Sequence, residues 1–381
     1  MRPMTTRQST TTTSAALYLS FELGERDWKL AFTIGLGQRP RHRTIRAGQL
    51  GVLDQEIARA RRRFALAPEA VVRSCYEAGR DGFWLHRALL ARGIANVVVD
   101  ASSIEVNRRA RRAKSDRLDN AKLNEMLVRY HAGEHRVWHV VRVPSEADED
   151  RRHLERERQT LIQERTRLRN RIQGLLATQG VTVPLVGDVG AALGRVRRWD
   201  RTPLPPGLVA RLRREWAWLE TVTTAIAGLE GERRTAMAAD TATAQCSRRL
   251  ARLRAIGPTI AWTLASELFG WRTFRNRREV GSLVGLTPTP YQSGAEHREL
   301  GIAKSGNPHL RALAVELAWL WVRYQPRSAL SRWYQARYAR GGPRLRRIGI
   351  VALARKLVIA LWRYVTFDEL PAGALRKAAV G

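Results

Sequence analysis

Short apolar runs dominate the first hundred residues. Ala16 to Leu23 and Trp28 to Ile34 are apolar and extended around the turn Gly24, Glu25, Arg26, and His42 to Ile45 adds a third run, which predicts a three-stranded antiparallel start. Leu50 to Phe64 then carries helical spacing, Val71 to Tyr76 reads as a strand, Phe83 to Arg92 as a helix and Asn96 to Val99 as a strand. This β-β-β-α-β-α-β order predicts a mixed sheet covered by helices, because each crossover helix returns the chain parallel to the strand before it.

A polar, basic stretch from Glu105 to Lys114 follows, and Asp116 to His131 reads as a helix with Leu118, Leu123, Met126 and Leu127 on its apolar face. From Glu146 to Gln179 the chain is almost all charge except for leucines at 154, 161, 168 and 175, a seven-residue repeat that defines one seam of a long helix. After a Pro-rich link from Val183 to Gly207 comes a second seam: Leu208, Leu212, Leu219, Val222, Ile226 and Leu229, interrupted at Glu215. Two such helices make an antiparallel coiled-coil arm or half of a bundle between chains. Beyond Leu253 the composition shifts again, with Gly257-Pro258 opening a helix, a Gly/Pro/Ser-rich loop over Gly285 to Gly294, and helices over Pro308 to Tyr324 and Pro343 to Tyr364. Trp319, Trp321, Trp333, Tyr334 and Tyr338 lie among the arginines of this region, at a spacing that fits a core better than a base-stacking surface. The expected organisation is a disordered tail over residues 1–15, an α/β domain over 16–145, a coiled-coil arm with its link over 146–245, and a mainly α-helical domain over 246–381.

Charge changes the picture from fold to partner. The 381 residues hold 67 Lys+Arg against 35 Asp+Glu, a formal net charge of +32, and a polyanion such as nucleic acid is the usual neutraliser of such an excess. A length beyond about 250 to 300 residues exceeds one ordinary core. No uninterrupted apolar stretch is long enough to span a bilayer; the richest late segment is broken by Arg355, Lys356 and Arg363. Two cysteines, Cys75 and Cys246, exclude a disulfide framework and a Cys-based zinc finger, and suit a reducing cytoplasm.

Four acidic positions carry candidate chemistry: Glu22 on the first strand, Glu77 just after the fourth, and Asp116 with Asp119 on one helix face. In a sheet of this order the first and fourth strands are neighbours, so carboxylates near their ends, Glu22 and Glu77, can converge. Clustered carboxylates repel unless a hard divalent cation, Mg²⁺ or Mn²⁺, sits among them. Two such ions clamp the attacking and leaving oxygens of a phosphodiester. Asp27 and Asp100 compete for the same role, and each carboxylate taken singly also fits a structural place.

Tyr76-Glu77-Ala78-Gly79, Lys114-Ser115-Asp116-Arg117-Leu118-Asp119-Asn120-Ala121, Gly285-Leu286-Thr287-Pro288 leading to Ser293-Gly294, and Lys304-Ser305-Gly306-Asn307-Pro308-His309-Leu310-Arg311 resemble, in order, the signature segments of the insertion-sequence 110 family of transposases. The resemblance covers roughly residues 17 to 365. It implies a RuvC-like (RNase H-like) domain with a DEDD carboxylate set, a coiled coil, and a transposase domain whose serine attacks DNA. Carried onto this chain, the set is Glu22, Glu77, Asp116 and Asp119, with Ser293 as nucleophile; the family's first carboxylate is usually Asp, and Glu22 departs from it. The resemblance also implies excision and insertion of a mobile element, guided by a structured noncoding bridge RNA that pairs with donor and target DNA, by a homo-oligomer.

A serine hydroxyl is a weak nucleophile and needs phosphate polarisation or a nearby base. Ser293 stands beside Gly294, where backbone and DNA can approach closely, and Ser282 and Ser305 are the alternatives. Arg108, Arg109, Arg111, Arg112 and Lys114, with Lys304, Asn307 and Arg311, are candidate nucleic-acid contacts; Lys304, Asn307 and Arg311 equally suit a helix start. Two other function classes stay open: a metal-dependent junction nuclease that uses water in place of Ser293, and a non-catalytic nucleic-acid-binding protein.

Overall fold

The computed structural model describes residues 16–104, 116–182, 193–293 and 296–378, so the tail over 1–15 and the basic residues Arg108, Arg109, Arg111, Arg112 and Lys114 lie outside the described residues. The chain divides into two compact units, Met1–Val143 and Pro144–Gly381.

The first unit is built on a five-stranded sheet in the order β3-β2-β1-β4-β5. Its strands are β1 (Leu17–Leu23), β2 (Asp27–Thr33), β3 (Arg41–Arg46), β4 (Val72–Glu77) and β5 (Ala95–Val99). The first three pair antiparallel as a meander, and β1-β4 and β4-β5 pair parallel through the crossover helices α1 (Leu50–Arg63) and α2 (Trp84–Leu90). The predicted order therefore holds. The edge strand β3 reads Arg-His-Arg-Thr-Ile-Arg and buries only Ile45, a charged edge that resists pairing with another chain.

Strand alternation gives the sheet two different faces. Leu17, Leu19 and Phe21 of β1 join Tyr76 and Val98 in a core closed by Leu53 and Ile57 of α1 and Leu85 and Leu89 of α2. The opposite face carries Cys75 and Val99, packed under Leu123, Met126 and Leu127 of α3 (Asp116–His131) and under Val137 and Trp138. Two buried asparagines fix α3 over the sheet. Asn120 Nδ2 donates to the Lys29 carbonyl at 2.8 Å and its Oδ1 accepts the Ser20 hydroxyl at 2.5 Å, while Asn124 Nδ2 donates to the carbonyls of Ala31 at 2.7 Å and Tyr18 at 3.4 Å.

The second unit opens with two long helices, α4 (Glu146–Ala177) and α5 (Pro206–Ala238). Ser145 caps α4 by accepting the Asp148 amide at 3.1 Å. The ion pairs Arg158–Glu230 and Arg171–Glu215, both 2.9 Å, join residues that advance along one helix and retreat along the other, so the pair is antiparallel. Glu215, the polar break in the second seam, is thereby matched by an arginine. On α5 the buried positions Leu212, Leu219, Val222, Ile226 and Leu229 are those the spacing predicts. On α4 the seam differs from the leucine heptad: Leu168, Ile172 and Leu176 are buried, whereas Leu161 and Leu175 are only partly so. A straight helix turns every 3.6 residues, and a seven-residue repeat drifts off its seam unless the helices supercoil.

The remainder packs around a single apolar cluster that includes Leu250, Leu264, Leu310, Leu317, Trp321, Leu353 and Leu361. Its helices are α6 (Ala242–Ala251), α7 (Pro258–Leu264), α8 (Arg277–Leu283), α9 (Pro308–Tyr324), α10 (Ala329–Tyr334) and α11 (Pro343–Phe367). A π-helical turn, Ala265–Phe269, extends α7 and carries Glu267, whose buried carboxylate meets Arg152 at 3.1 Å and Arg156 at 2.8 Å from α4. The region predicted as a loop contains strand β6 (Pro288–Ser293), which pairs antiparallel with β7 (Glu296–Ile302). Its Gly, Pro and Ser content reads as loop because the partner strand that makes it extended comes later in the chain. The aromatic residues divide: Trp321 and Tyr334 are buried, and Trp319 is 46% exposed. No helix of the described residues is long and apolar enough to cross a membrane.

Candidate functional site

The acidic pair forms because β1 and β4 are parallel neighbours. Phe21 pairs with Tyr76, and the next position along each strand is Glu22 and Glu77. Paired positions face the same side of a sheet, so both glutamates stand on the α3 face, two residues beyond Ser20 and Cys75. Glu77 is exposed at the strand end and Glu22 is half-buried. Across the hairpin Glu22 pairs with Lys29. A cation thus borders the pair, and spacing alone does not single out Lys29.

The register of α3 brings Asp116 to the same level. Asn124 lies over Tyr18 and Asn120 over Ser20, so four residues along α3 match two along β1 in the opposite direction. Four helical residues rise about 6 Å and two strand residues about 6.7 Å, so the next step sets position 116 above position 22. Asp119 is exposed one turn further along the same helix. Of the competitors, Asp27 is exposed at the mouth of the β1-β2 hairpin, two residues before Lys29, and Asp100 directly follows Val99, the partner of Glu77, with its amide bonded to the His139 carbonyl at 2.9 Å. Among the described residues, which do not include the side chain of Asp116, no group of three or more acidic, His or Cys side chains is placed to hold a metal ion. The arrangement is instead a strand pair, Glu22 and Glu77, open toward the helix start that carries Asp116. At the far end of α3, burial lowers His131 to about 4, with the charges of Arg73 and His135 adding to the shift.

In the second unit Ser293 is the last residue of β6 and pairs with Glu296, at the tip of the hairpin rather than inside a loop. The two glycine motifs beside it lock together. Lys304 and Asn307 amides donate to the carbonyls of Gly285 (3.3 Å) and Leu283 (2.8 Å). Gly285 has φ +68°, and a Cβ there would meet the Gly306 amide nitrogen at 2.8 Å; a Cβ on Gly306 would meet the Leu283 carbonyl oxygen within hard-contact distance. Asn307 caps α9, its Oδ1 accepting the amides of His309 (2.9 Å) and Leu310 (3.3 Å), and Arg311 donates to the Lys304 carbonyl at 3.1 Å. Asn307 and Arg311 thus build the turn that carries Lys304 and Ser305, both exposed. Ser282, also exposed, lies in the last turn of α8 and accepts the Gly285 amide through its carbonyl.

Apart from Glu22, these residues fall within two family matches. A DEDD transposase model matches residues 49–179, which contain Glu77, Asp116 and Asp119 and begin after Glu22, and the model described as transposase IS116/IS110/IS902 family matches residues 247–335, which contain Ser293. Over 379 residues the chain is 40% identical to y4rJ of Sinorhizobium fredii, a protein named for a transposase, with 95% of each chain covered. The chain belongs to the IS116/IS110/IS902 transposase family. This transposase is also 28% identical, over 216 residues, to the transposase for insertion sequence element IS1328 of Yersinia enterocolitica, covering 56% of this chain and 62% of that one. To the transposase for insertion sequence element IS1111A of Coxiella burnetii it is 28% identical over 223 residues, 56% of this chain and 57% of that one. As a DNA transposase it cuts and joins DNA, a polyanion that its excess of 32 positive charges suits.

Proposed function

We propose that this transposase cuts DNA with divalent cations held by Glu22, Glu77, Asp116 and Asp119 and rejoins it through a covalent link to Ser293. The observation that carries the metal half is the side-by-side placement of Glu22 and Glu77 on parallel neighbouring strands, beneath the helix that begins at Asp116. Hard carboxylate oxygens suit Mg²⁺ or Mn²⁺, and such an ion, when bound, polarises a phosphodiester and offsets the charge that grows on its oxygens. Lys29, opposite Glu22, lowers the repulsion between the acids before an ion binds.

The chemistry at Ser293 balances without an external energy source. Its Oγ attacks phosphorus, the bond from phosphorus to the 3′ oxygen breaks, and that oxygen leaves as a 3′ hydroxyl with the proton the serine gives up. The phosphodiester survives as a 5′ phosphoserine. Attack by another 3′ hydroxyl on that link joins new DNA and returns the proton to serine. A structured guide RNA that pairs with donor and target would then choose the sites, and several copies of the chain would hold the two DNA partners; this part rests on the family resemblance and on the charge.

Trapping the reaction on duplex DNA and mapping the attached peptide tests the proposal. An adduct on Ser293, lost in Ser293→Ala, is the expected result. An adduct on Ser282 or Ser305 moves the nucleophile. Metal-dependent cleavage with no adduct at all overturns it in favour of a nuclease that uses water. Glu77→Ala and Asp116→Ala should remove cleavage and leave DNA binding, because the cationic surface and not the acids holds DNA. RNA recovered with the protein and matching the flanks of its own gene is expected, and its absence removes the guide.

A further inference from the structure

A cavity of about 470 Å³ lies in the second unit, far along the chain from both Ser293 and the acids, where the end of α6 meets the C-terminal segment. Arg248, Arg249, Arg252 and Arg376 line it against one carboxylate, Asp368. Two of the arginines are held in place by protein acceptors. Arg248 donates to the carbonyls of Met237 (2.6 Å) and Ala239 (2.9 Å), which fix its guanidinium and leave its charge. Arg249 lies 5.2 Å over the Tyr364 ring and is paired with Asp368.

The other two are presented without neutralisation. Arg252 and Arg376 are exposed, and among the described residues neither side chain has an ion pair. Their backbones are fixed: the Lys377 amide bonds to the Arg252 carbonyl at 2.7 Å, and Leu253 and Arg376 form a β-bridge. Folding therefore brings two residues far apart in sequence to one mouth, at the electrostatic cost of like charges side by side. Guanidinium forks match the oxygens of a phosphate, which removes that cost.

We infer that this cavity is a docking site for the phosphate backbone of duplex DNA, formed by residues other than those proposed to cut and join. Duplex backbone fits better than unpaired RNA because the aromatic residue of the cavity, Tyr364, is 1% exposed and covered by Arg249, which leaves no ring on which a splayed base could stack. Phosphate contacts of this kind hold DNA in register and carry no sequence preference.

The test uses the full chain with Ser293→Ala as the parent, a short mixed-sequence DNA duplex and EDTA throughout, so that neither metal chemistry nor the serine enters the readout. Arg252→Gln with Arg376→Gln should weaken binding on all sequences alike and make the slope of log affinity against log salt shallower by about 1.8, roughly 0.9 for each phosphate left without its arginine. Arg252→Lys with Arg376→Lys should restore most of the slope. A slope unchanged by the Gln pair, a slope reduced equally by the Lys pair, or a weakening confined to structured RNA of the same length overturns the inference.

Discussion

Asn120 joins the helix that starts at Asp116 to the strand position opposite Glu22: its Nδ2 donates to the Lys29 carbonyl at 2.8 Å while its Oδ1 accepts the Ser20 hydroxyl at 2.5 Å. Three elements that carry proposed metal ligands or their neighbours are thus tied by one buried amide. Carboxylates on separate elements hold an ion only if those elements keep a fixed spacing, and apolar packing alone lets a helix slide. The second amide, Asn124, repeats the bond one turn away and sets the rotation of α3 as well as its height.

Asn120→Ala should therefore cost more than its size implies. The Lys29 carbonyl loses its side-chain donor, worth about 1–3 kcal/mol when left unsatisfied, while the Ser20 hydroxyl keeps the backbone carbonyl of residue 120 at 3.0 Å as its acceptor. Thermal unfolding should shift down accordingly, and Mn²⁺ binding followed by calorimetry should weaken beyond the loss seen for a change of similar cost on the far face, such as Leu89→Ala. Equal metal affinity in the two variants would show that Asn120 only stabilises the fold.

Leu219 is buried between α4 and α5 of the same chain, so this part of the seam is satisfied without a second copy. Leu219→Ala should cost about 2–5 kcal/mol through transfer and cavity terms. Its mass by light scattering should stay that of the parent. A change in mass would mean that the seam works between chains.

What is legible in the sequence, and what is not, separates along physical lines. The sheet order follows from runs of residues, because a strand next to a crossover helix leaves a pattern in its own neighbourhood. The convergence of Glu22 and Glu77 follows from that order alone. Asn120 and Asn124 are not legible, because an asparagine on an apolar helix face looks like a flaw until its partners on β1 and β2 are known. Lys29 is nearer to hand: once Leu23 is paired with Trp28, the hairpin register sets it opposite Glu22. Strand β6 reads as a loop because Pro288, Pro290 and Ser293 signal a turn locally, and only pairing with β7 makes them extended.

His131 supplies a pH dependence whose sign is fixed. Burial, aided by Arg73 and His135, lowers it from 6.5 to about 4, and among the described residues its buried Nε2 has no hydrogen-bond partner. Between those values the unfolded chain takes up a proton that the folded chain refuses, so stability is full above 6.5 and declines as pH falls toward 4. The melting temperature should drop between about pH 7 and about pH 5, and His131→Gln should reduce that drop. An identical drop in the variant would assign the acid sensitivity to other groups.

Glu22 stands where the family resemblance expects Asp, and its substitution is the sharpest probe of the proposed site. Its backbone position is set by β1, which pairs on both sides, with β2 through Lys29 and with β4 next to Glu77, so the strand has little freedom to move toward or away from an ion. Reach is then decided by the side chain, and Glu carries its carboxylate one methylene farther than Asp. Mg²⁺ demands near-ideal octahedral geometry, whereas a looser ion accepts a displaced ligand. If the site has been shaped around the longer side chain, Glu22→Asp should lower cleavage with Mg²⁺ by more than with Mn²⁺, and Glu22→Ala should abolish it with both while DNA binding in EDTA stays at the parent value. A Glu22→Ala variant that cleaves at the parent rate while Asp27→Ala or Asp100→Ala does not would remove Glu22 from the set. The placement of Glu77 below the start of α3 would stand, because it rests on the β1-β4 register and on the asparagine bonds and not on the identity of residue 22.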